Sequence, residues 1–169
     1  MVSNINTRFT VMKITYVIGD ATQPQGTGNK IICHICNNVG AWGVGFVLAL
    51  SKRWSYPEEH YRAQKTYPLG HVDILSVAQG DDSPIFVANM IGQHDIKPSE
   101  DGIPPIRYYA VVLALEKVNY IANEIGATLH APKFGAGLAG GNWSIIESII
   151  EEVITVPFTI YVLNENDLP

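Results

Sequence analysis

Apolar positions along this chain switch repeatedly between a period of two and a period of about 3.6. "KITYVI" (13–18) alternates and is rich in β-branched residues, so it predicts a strand that Gly19 and Asp20 end. After the loop "ATQPQGTGN", the segment "KIICHIC" (30–36) is an almost unbroken apolar run, of the kind buried on both faces of a central sheet. "GFVLALSKRW" (45–54) has helical spacing, with Lys52 and Arg53 placed late, where they suit a helix C-terminus. "YPEEHYRAQKTY" (56–67) predicts a second helix with Pro57 in its first turn. Strands "HVDILSVA" (71–78) and "PIFVANMI" (84–91) follow, separated by the turn signal "QGDDSP".

"HDIKPSEDGIPP" (94–105) is a long polar loop, and "IRYYAVVLALEKVNYIANEIG" (106–126) is the longest helical pattern, stopped by Gly126. "ATLHAP" (127–132) predicts a strand, "KFGAGLAGGN" (133–142) a Gly-rich loop, "WSIIESIIEEVI" (143–154) a helix and "FTIYVL" (158–163) a last strand. This alternation predicts a three-layer α/β/α sandwich around a central mixed, mostly parallel six-stranded sheet. The 169 residues suffice for one sizeable core, so a single domain over 13–165 is expected after a polar leader at 1–12.

Composition narrows the function. A formal charge of −5 gives no basic surface for a nucleic-acid duplex, although backbone amides could still hold a small anion. No apolar run reaches the roughly 18 residues that cross a bilayer, and "MVSNINTRFTVMKITYV" lacks the apolar core of a signal peptide. Cys33 and Cys36 fit a reducing compartment. A cytoplasmic monomer with no membrane or nucleic-acid partner is the expectation. "CHIC" invites a metal or redox reading, but in a strand the two cysteines point to opposite faces and no second pair exists. No metal, thiol chemistry or cofactor is expected.

Two Gly-rich stretches, "CNNVGAWGVGF" (36–46) and "KFGAGLAGGN", occupy the same place: each follows a buried strand and precedes a helix. Open α/β sheets bind ligands there, and glycines let backbone N–H groups approach an anion without a lysine. Either stretch alone reads equally well as a tight turn; the pair points to a ligand, and a diphosphate fits. Neither is a Walker loop, and "GAWGVG" lacks the spacing of a dinucleotide fingerprint.

These residues carry a resemblance to the macrodomain family. "ITYVIGDAT" resembles its opening strand and adenine-recognising acid, "HICNNVGAWGVGF" its first ligand loop, and "VANMIGQ" a central strand end. "APKFGAGLAGGNW" resembles its phosphate loop and "VPFTIYVL" its last strand. Within the family the chain is most similar to the bacterial branch related to the terminal ADP-ribose protein glycohydrolase and to the fungal ADP-ribose 1″-phosphate phosphatase. The resemblance implies ADP-ribose and ADP-ribosylated proteins as partners.

Carried over by position, the resemblance puts Asp20 and Ala21 at the adenine. It places Asn37 and Asn38 near the distal ribose, with Gly40, Ala41, Trp42, Gly43, Val44 and Gly45 as the loop around ribose and phosphate. Phe134, Gly135, Ala136, Gly137, Leu138 and Ala139 would cradle the diphosphate. Asp20 also reads as an ordinary turn acid, Trp42 as a core aromatic rather than a cleft wall, and His34 as a hydrogen-bonded core histidine. His34, Asn37 and Gln93 are the candidate catalytic residues, and His94 and Asp95 either orient a water or form a solvated pair. The glycohydrolase relative uses a lysine at the end of the central strand and an aspartate in the phosphate loop. Here Ile91 or Gly92 and Ala139 stand in those places, which leaves a substrate-assisted route. The expected activity is removal of mono-ADP-ribose from glutamate and aspartate side chains. ADP-ribose 1″-phosphate phosphatase and a binding module without turnover are the alternatives.

Overall fold

The structure is a computed structural model that describes residues 14–78 and 84–169. The predicted leader at 1–12 and most of the "QGDDSP" turn lie outside the described residues.

The described elements run β1 (Ile14–Ile18), β2 (Lys30–Asn37), α1 (Phe46–Arg53), α2 (Tyr56–Arg62), β3 (Val72–Ala78) and β4 (Ile85–Gln93). They continue with α3 (Tyr108–Ile125), β5 (Thr128–Pro132), α4 (Trp143–Val153), β6 (Phe158–Val162) and a short 3-10 turn at Glu165–Asp167. The six strands form one sheet in the order β1-β6-β5-β2-β4-β3. Only the edge strand β3 runs antiparallel to its neighbour.

β2 lies inside the sheet and its side chains divide between two cores, as its unbroken apolar run requires. Ile31 and Cys33 belong to the core shared with α3 and α4, and Ile32 and Cys36 to the core beneath α1 and α2. The two cysteines therefore sit on opposite faces, both free and buried. Burial raises both thiols above their ordinary range, so neither supplies a thiolate near neutral pH.

Two helices differ from their sequence patterns. α2 stops at Arg62, five residues before the end of its pattern, because Pro68 and Gly70 follow and the Tyr61 and Tyr67 rings pack 4.7 Å apart, turning the chain back. α3 starts at Tyr108, not Ile106, because Ile106 is taken up in a bridge with Gln93 and the Arg107 N–H donates to the Gly92 carbonyl at 2.9 Å. Its far end matches the sequence: Gly126 closes it in the left-handed conformation, at φ 64°. No helix of the described residues is long and apolar enough to cross a membrane.

Candidate functional site

β2 and β5 are adjacent and parallel, and the chain leaves them on opposite faces of the sheet: β2 leads to α1 and β5 to α4. A crevice opens at the C-terminal ends of strands where the chain diverges in this way. The two Gly-rich loops border it. One part of the crevice, ≈ 280 Å³, is lined by His34, Phe46, Lys133, Phe134 and Gly135 among others. The other, ≈ 590 Å³, is lined by Cys36, Asn37, Ala41, Trp42, Gly43, Arg62, Ile96 and Lys97. Ile35, Val44, Val47, Gln93 and Leu138 line both, so the two parts form one cleft.

The first loop turns into α1 at Gly45, whose φ of 84° and ψ of −146° are open to glycine alone. No side chain caps the helix there, which leaves the first N–H groups of α1 at the cleft, beside Phe46 and Val47. In the second loop, Gly135 lies at φ 75° and its carbonyl accepts from the Gly141 N–H at 2.8 Å, closing the loop on itself. Beyond it Asn142 caps α4, accepting from the Ser144 N–H at 2.9 Å.

Asn37 organises the first loop from within. Its Oδ1 accepts from the Val39 and Ala41 N–H groups at 3.1 and 3.0 Å, and its Nδ2 donates to the Ala41 carbonyl at 2.7 Å. The buried Tyr61 hydroxyl donates to its backbone carbonyl at 2.6 Å. The amide is thus engaged in shaping the loop, and the residue lines the wider part of the cleft. Asn38 is engaged across the fold. Its Nδ2 donates to His94 Nδ1 at 2.9 Å and its Oδ1 accepts from the Asp95 N–H at 2.8 Å, so it holds the polar loop after β4 and does not line the cleft.

Trp42 is both core and wall. It is 4% exposed and packs near His34 and Tyr61, at ring separations of 5.3 Å each, while bordering the larger part of the cleft. A closed ring of hydrogen bonds holds it. Trp42 Nε1 donates to Ser51 Oγ (2.7 Å), and Ser51 donates to Glu58 Oε2 (2.8 Å). Arg62 Nε donates to Glu58 Oε1 (3.0 Å) and Arg62 Nη2 to the Trp42 carbonyl (2.8 Å). The bonds from Ser51 and Arg62 hold the Glu58 carboxyl below its usual range.

At the end of β4 the register slips: Cys36 pairs with Ile91, but Asn37 pairs with Gln93. Gly92 is the extra residue, and the irregularity turns Gln93 into both parts of the cleft. Ile91 and Gly92 are buried, so the side chain offered at the end of this central strand is that of Gln93. Its Nε2 donates to the Asp95 carbonyl at 2.9 Å. His34 lines the narrower part and is 2% exposed. Asn89 Nδ2 donates to the Pro57 carbonyl, which turns Asn89 Oδ1 toward His34 Nε2 at 2.6 Å. Nε2 therefore carries the proton, and Nδ1 is a bare acceptor without a partner. Burial lowers His34 to a pKa of about 4, outweighing the Asn89 bond, so the ring is neutral at physiological pH and cannot act there as a proton donor of the imidazolium type.

Asp20, Ala21, Gly40 and Ala136 do not line the cleft. Asp20 caps its own turn, its Oδ1 accepting from the N–H and hydroxyl of Thr22 at 2.8 Å each. Gly43, Val44, Gly45, Gly135, Gly137, Leu138 and Ala139 do line it. So do Arg62, Ile96, Lys97 and Lys133, which the sequence pattern did not single out. No Asp or Glu is among the lining residues.

The geometry agrees with what the chain is similar to. No family profile matches it. A fungal protein of Lodderomyces elongisporus named ADP-ribose 1″-phosphate phosphatase is 22% identical, over 90% of this chain and 100% of its own length. A protein of unknown function from Bacteroides thetaiotaomicron has a structure 46% identical over 89% of this chain and 98% of that one, with a TM-score of 0.82. The structure of a macrodomain protein from Streptomyces coelicolor is 43% identical over 88% of this chain and 98% of that one, with a TM-score of 0.75. At that identity over nearly the full length of both, the chain belongs to the macrodomain family.

Proposed function

We propose that this chain binds ADP-ribose along the cleft and hydrolyses an ester on its distal ribose, releasing mono-ADP-ribose from glutamate and aspartate side chains. The observation that carries the reading is the pair of glycine loops flanking one cleft that has free helix N–H groups and no lining carboxylate. A diphosphate suits the narrower part, between Gly45 and Gly135 to Ala139. The wider part, beside Asn37 and Trp42, suits the distal ribose, and Asp20 at the end of β1 is offered to the adenine.

With Gln93 at the end of β4 and Ala139 in the second loop, this cleft holds no nucleophilic lysine or aspartate at those places. A water must then be the nucleophile. It adds to the ester carbonyl, the bond between the acyl carbon and the ribose oxygen breaks, one proton of the water passes to that oxygen, and the freed acid gives the other to solvent to leave the side chain as a carboxylate. Gln93, which borders both parts of the cleft, is the polar side chain suited to orienting that water; His34 lines the narrower part, but its Nδ1 is buried. An acyl ester needs less acid assistance at its leaving oxygen than an N-glycosidic bond, which matches a neutral His34.

A phosphate monoester on the distal ribose is the second reading, favoured by the full-length likeness to the fungal protein named for that reaction. The test is a time course of ADP-ribose release from protein mono-ADP-ribosylated on glutamate, with an arginine-linked substrate alongside. Release from the glutamate ester alone supports the acyl-ester hydrolase, and retained turnover in Gly137→Glu, which crowds the diphosphate part, removes the cleft from the reaction. Binding without product selects a reader.

A further inference from the structure

Three basic side chains, Arg62, Lys97 and Lys133, line the cleft, while among the described residues no carboxylate does. In a protein of net charge −5 this gathers basic groups at the cleft, although Arg62 is paired with Glu58. Lys133 is occupied: its Nζ donates to the Asp167 carbonyl at 2.6 Å and lies 5.8 Å from the Tyr16 ring centre. Arg62 and Lys97 sit at the other, wider end, beside Asn37 and Trp42.

Both cations are presented by built structure. Arg62 is clamped by Glu58 and the Trp42 carbonyl through Nε and Nη2, and Nη1 makes no such bond. Lys97 follows a corner fixed by three hydrogen bonds: Asn38 to His94, Asp95 to Asn38, and Gln93 to the Asp95 carbonyl. Asp95 at that corner is the one non-glycine residue among those described with positive φ, at 61°. Strain of this kind persists where the surroundings enforce it, and here it sets Ile96 and Lys97 at the cleft. No hydrogen bond, ion pair or ring contact among the described residues engages the Lys97 ammonium.

We propose that Arg62 and Lys97 are specificity-determining residues that select ADP-ribose derivatives bearing a negatively charged group on the distal ribose, a phosphate monoester foremost. The proposal rests on the ADP-ribose reading above. The Nη1 edge of Arg62, left over by Glu58 and Trp42, and the free Lys97 ammonium both border this part of the cleft and offer donors to the several oxygens of a phosphate. The proposal thus favours the second of the two readings above, in which the distal ribose carries a phosphate monoester.

The experiment is calorimetric titration of the full chain with ADP-ribose and with ADP-ribose 1″-phosphate, repeated for Arg62→Gln, Lys97→Gln and the double variant. In the parent, the phosphorylated ligand should bind about tenfold tighter or better, the size of one charge-assisted hydrogen bond. Each single variant should shrink that ratio, the double variant should bring it to about one, and raising the salt should compress it in the parent. A ratio near one in the parent, or an undiminished ratio in the double variant, overturns the proposal while leaving ADP-ribose binding intact. Failure of the parent to bind ADP-ribose overturns the underlying reading and this one with it. Lys97 is exposed, so Lys97→Gln keeps the test readable if Arg62→Gln disturbs the Trp42 ring of hydrogen bonds.

Discussion

Asn38 reaches from the first glycine loop to the loop after β4, where its Nδ2 meets His94 Nδ1 at 2.9 Å. Together with the Asp95 N–H bond at 2.8 Å to the same side chain, this couples two segments that are 56 residues apart in sequence. The corner at Asp95 is exposed, and besides Asn38 it is held by Gln93 Nε2 on the Asp95 carbonyl at 2.9 Å and by the His94 N–H on the Pro105 carbonyl at 2.8 Å. Asn38→Ala should therefore leave global stability nearly unchanged, because exposed bonds of this sort contribute about 1 kcal/mol or less each. Hydrogen exchange at the Asp95 amide should accelerate, by about tenfold if 1.4 kcal/mol of local protection is lost. ADP-ribose affinity should fall several-fold. Unchanged exchange at Asp95 would show that the corner is held by other contacts.

Two glycines of the second loop should respond oppositely to alanine. A Cβ on Gly141 would collide with the Gly135 carbonyl oxygen, a backbone atom that cannot turn aside. Gly141→Ala should reshape the loop and cost about 1–3 kcal/mol, the range for overpacking a close contact. Around Gly137 nothing stands within 4 Å of an added Cβ, and the residue faces the cleft. Gly137→Ala should keep the parent's melting temperature. Its effect should be confined to ligand affinity, which thermal melts with and without ADP-ribose separate from folding.

The ring Trp42–Ser51–Glu58–Arg62 predicts a penalty for opening it at its smallest member. Ser51→Ala leaves the Trp42 Nε1–H without its acceptor in a residue 4% exposed, and removes one of the two bonds that hold Glu58 ionised. A buried donor left unpaired costs about 1–3 kcal/mol. Urea unfolding should register that loss, whereas Ser51→Cys should restore part of it through a weaker acceptor. Equal stability of Ser51→Ala and the parent would mean that water replaces the hydroxyl.

Much of this arrangement is legible in the chain because the strongest signals are local. The unbroken run 30–36 could only be a strand buried on both faces, and Gly126 could only end α3. The two glycine loops announce the cleft because they follow strands that the pattern already places inside the sheet. What the pattern does not carry is pairing across the fold. The slip that moves Gln93 opposite Asn37 depends on β2 meeting β4, and no spacing within either strand records it. Arg62 falls inside the pattern of a helix predicted to run on to residue 67, and only the packing of the shorter α2 turns it toward Trp42. Asn37 and Asn38 are adjacent polar residues in one loop, yet one is spent inside the loop and the other across to His94.

His34 and His130 give the fold a pH dependence with a definite sign. His130 is 3% exposed and sits in a hydrogen-bonded chain: the Gln25 N–H donates to the Tyr161 hydroxyl (2.8 Å), which donates to His130 Nδ1 (2.8 Å). Its Nε2 lies 2.7 Å from Thr128 Oγ1, so both ring nitrogens have partners within the fold. Burial, helped by the charge of Lys30, lowers it to a pKa of about 4, as burial alone does for His34. Both lie below the ordinary 6.5, so the unfolded chain binds more protons than the folded one between those values. Stability from these two groups is fully present above pH 6.5 and is lost as pH falls toward 4. Within that window each histidine should contribute a slope of about 1.4 kcal/mol per pH unit, and on the order of 3 kcal/mol in all. Urea midpoints measured from pH 7.5 down to 4.5 should fall steeply below about 6.5 and stay level above it. His130→Asn should remove about half of that slope whatever it does to the overall level, because one of the two titrating groups is gone. A slope that His130→Asn leaves unchanged would show that His130 accepts its proton in the folded protein as readily as in the unfolded chain.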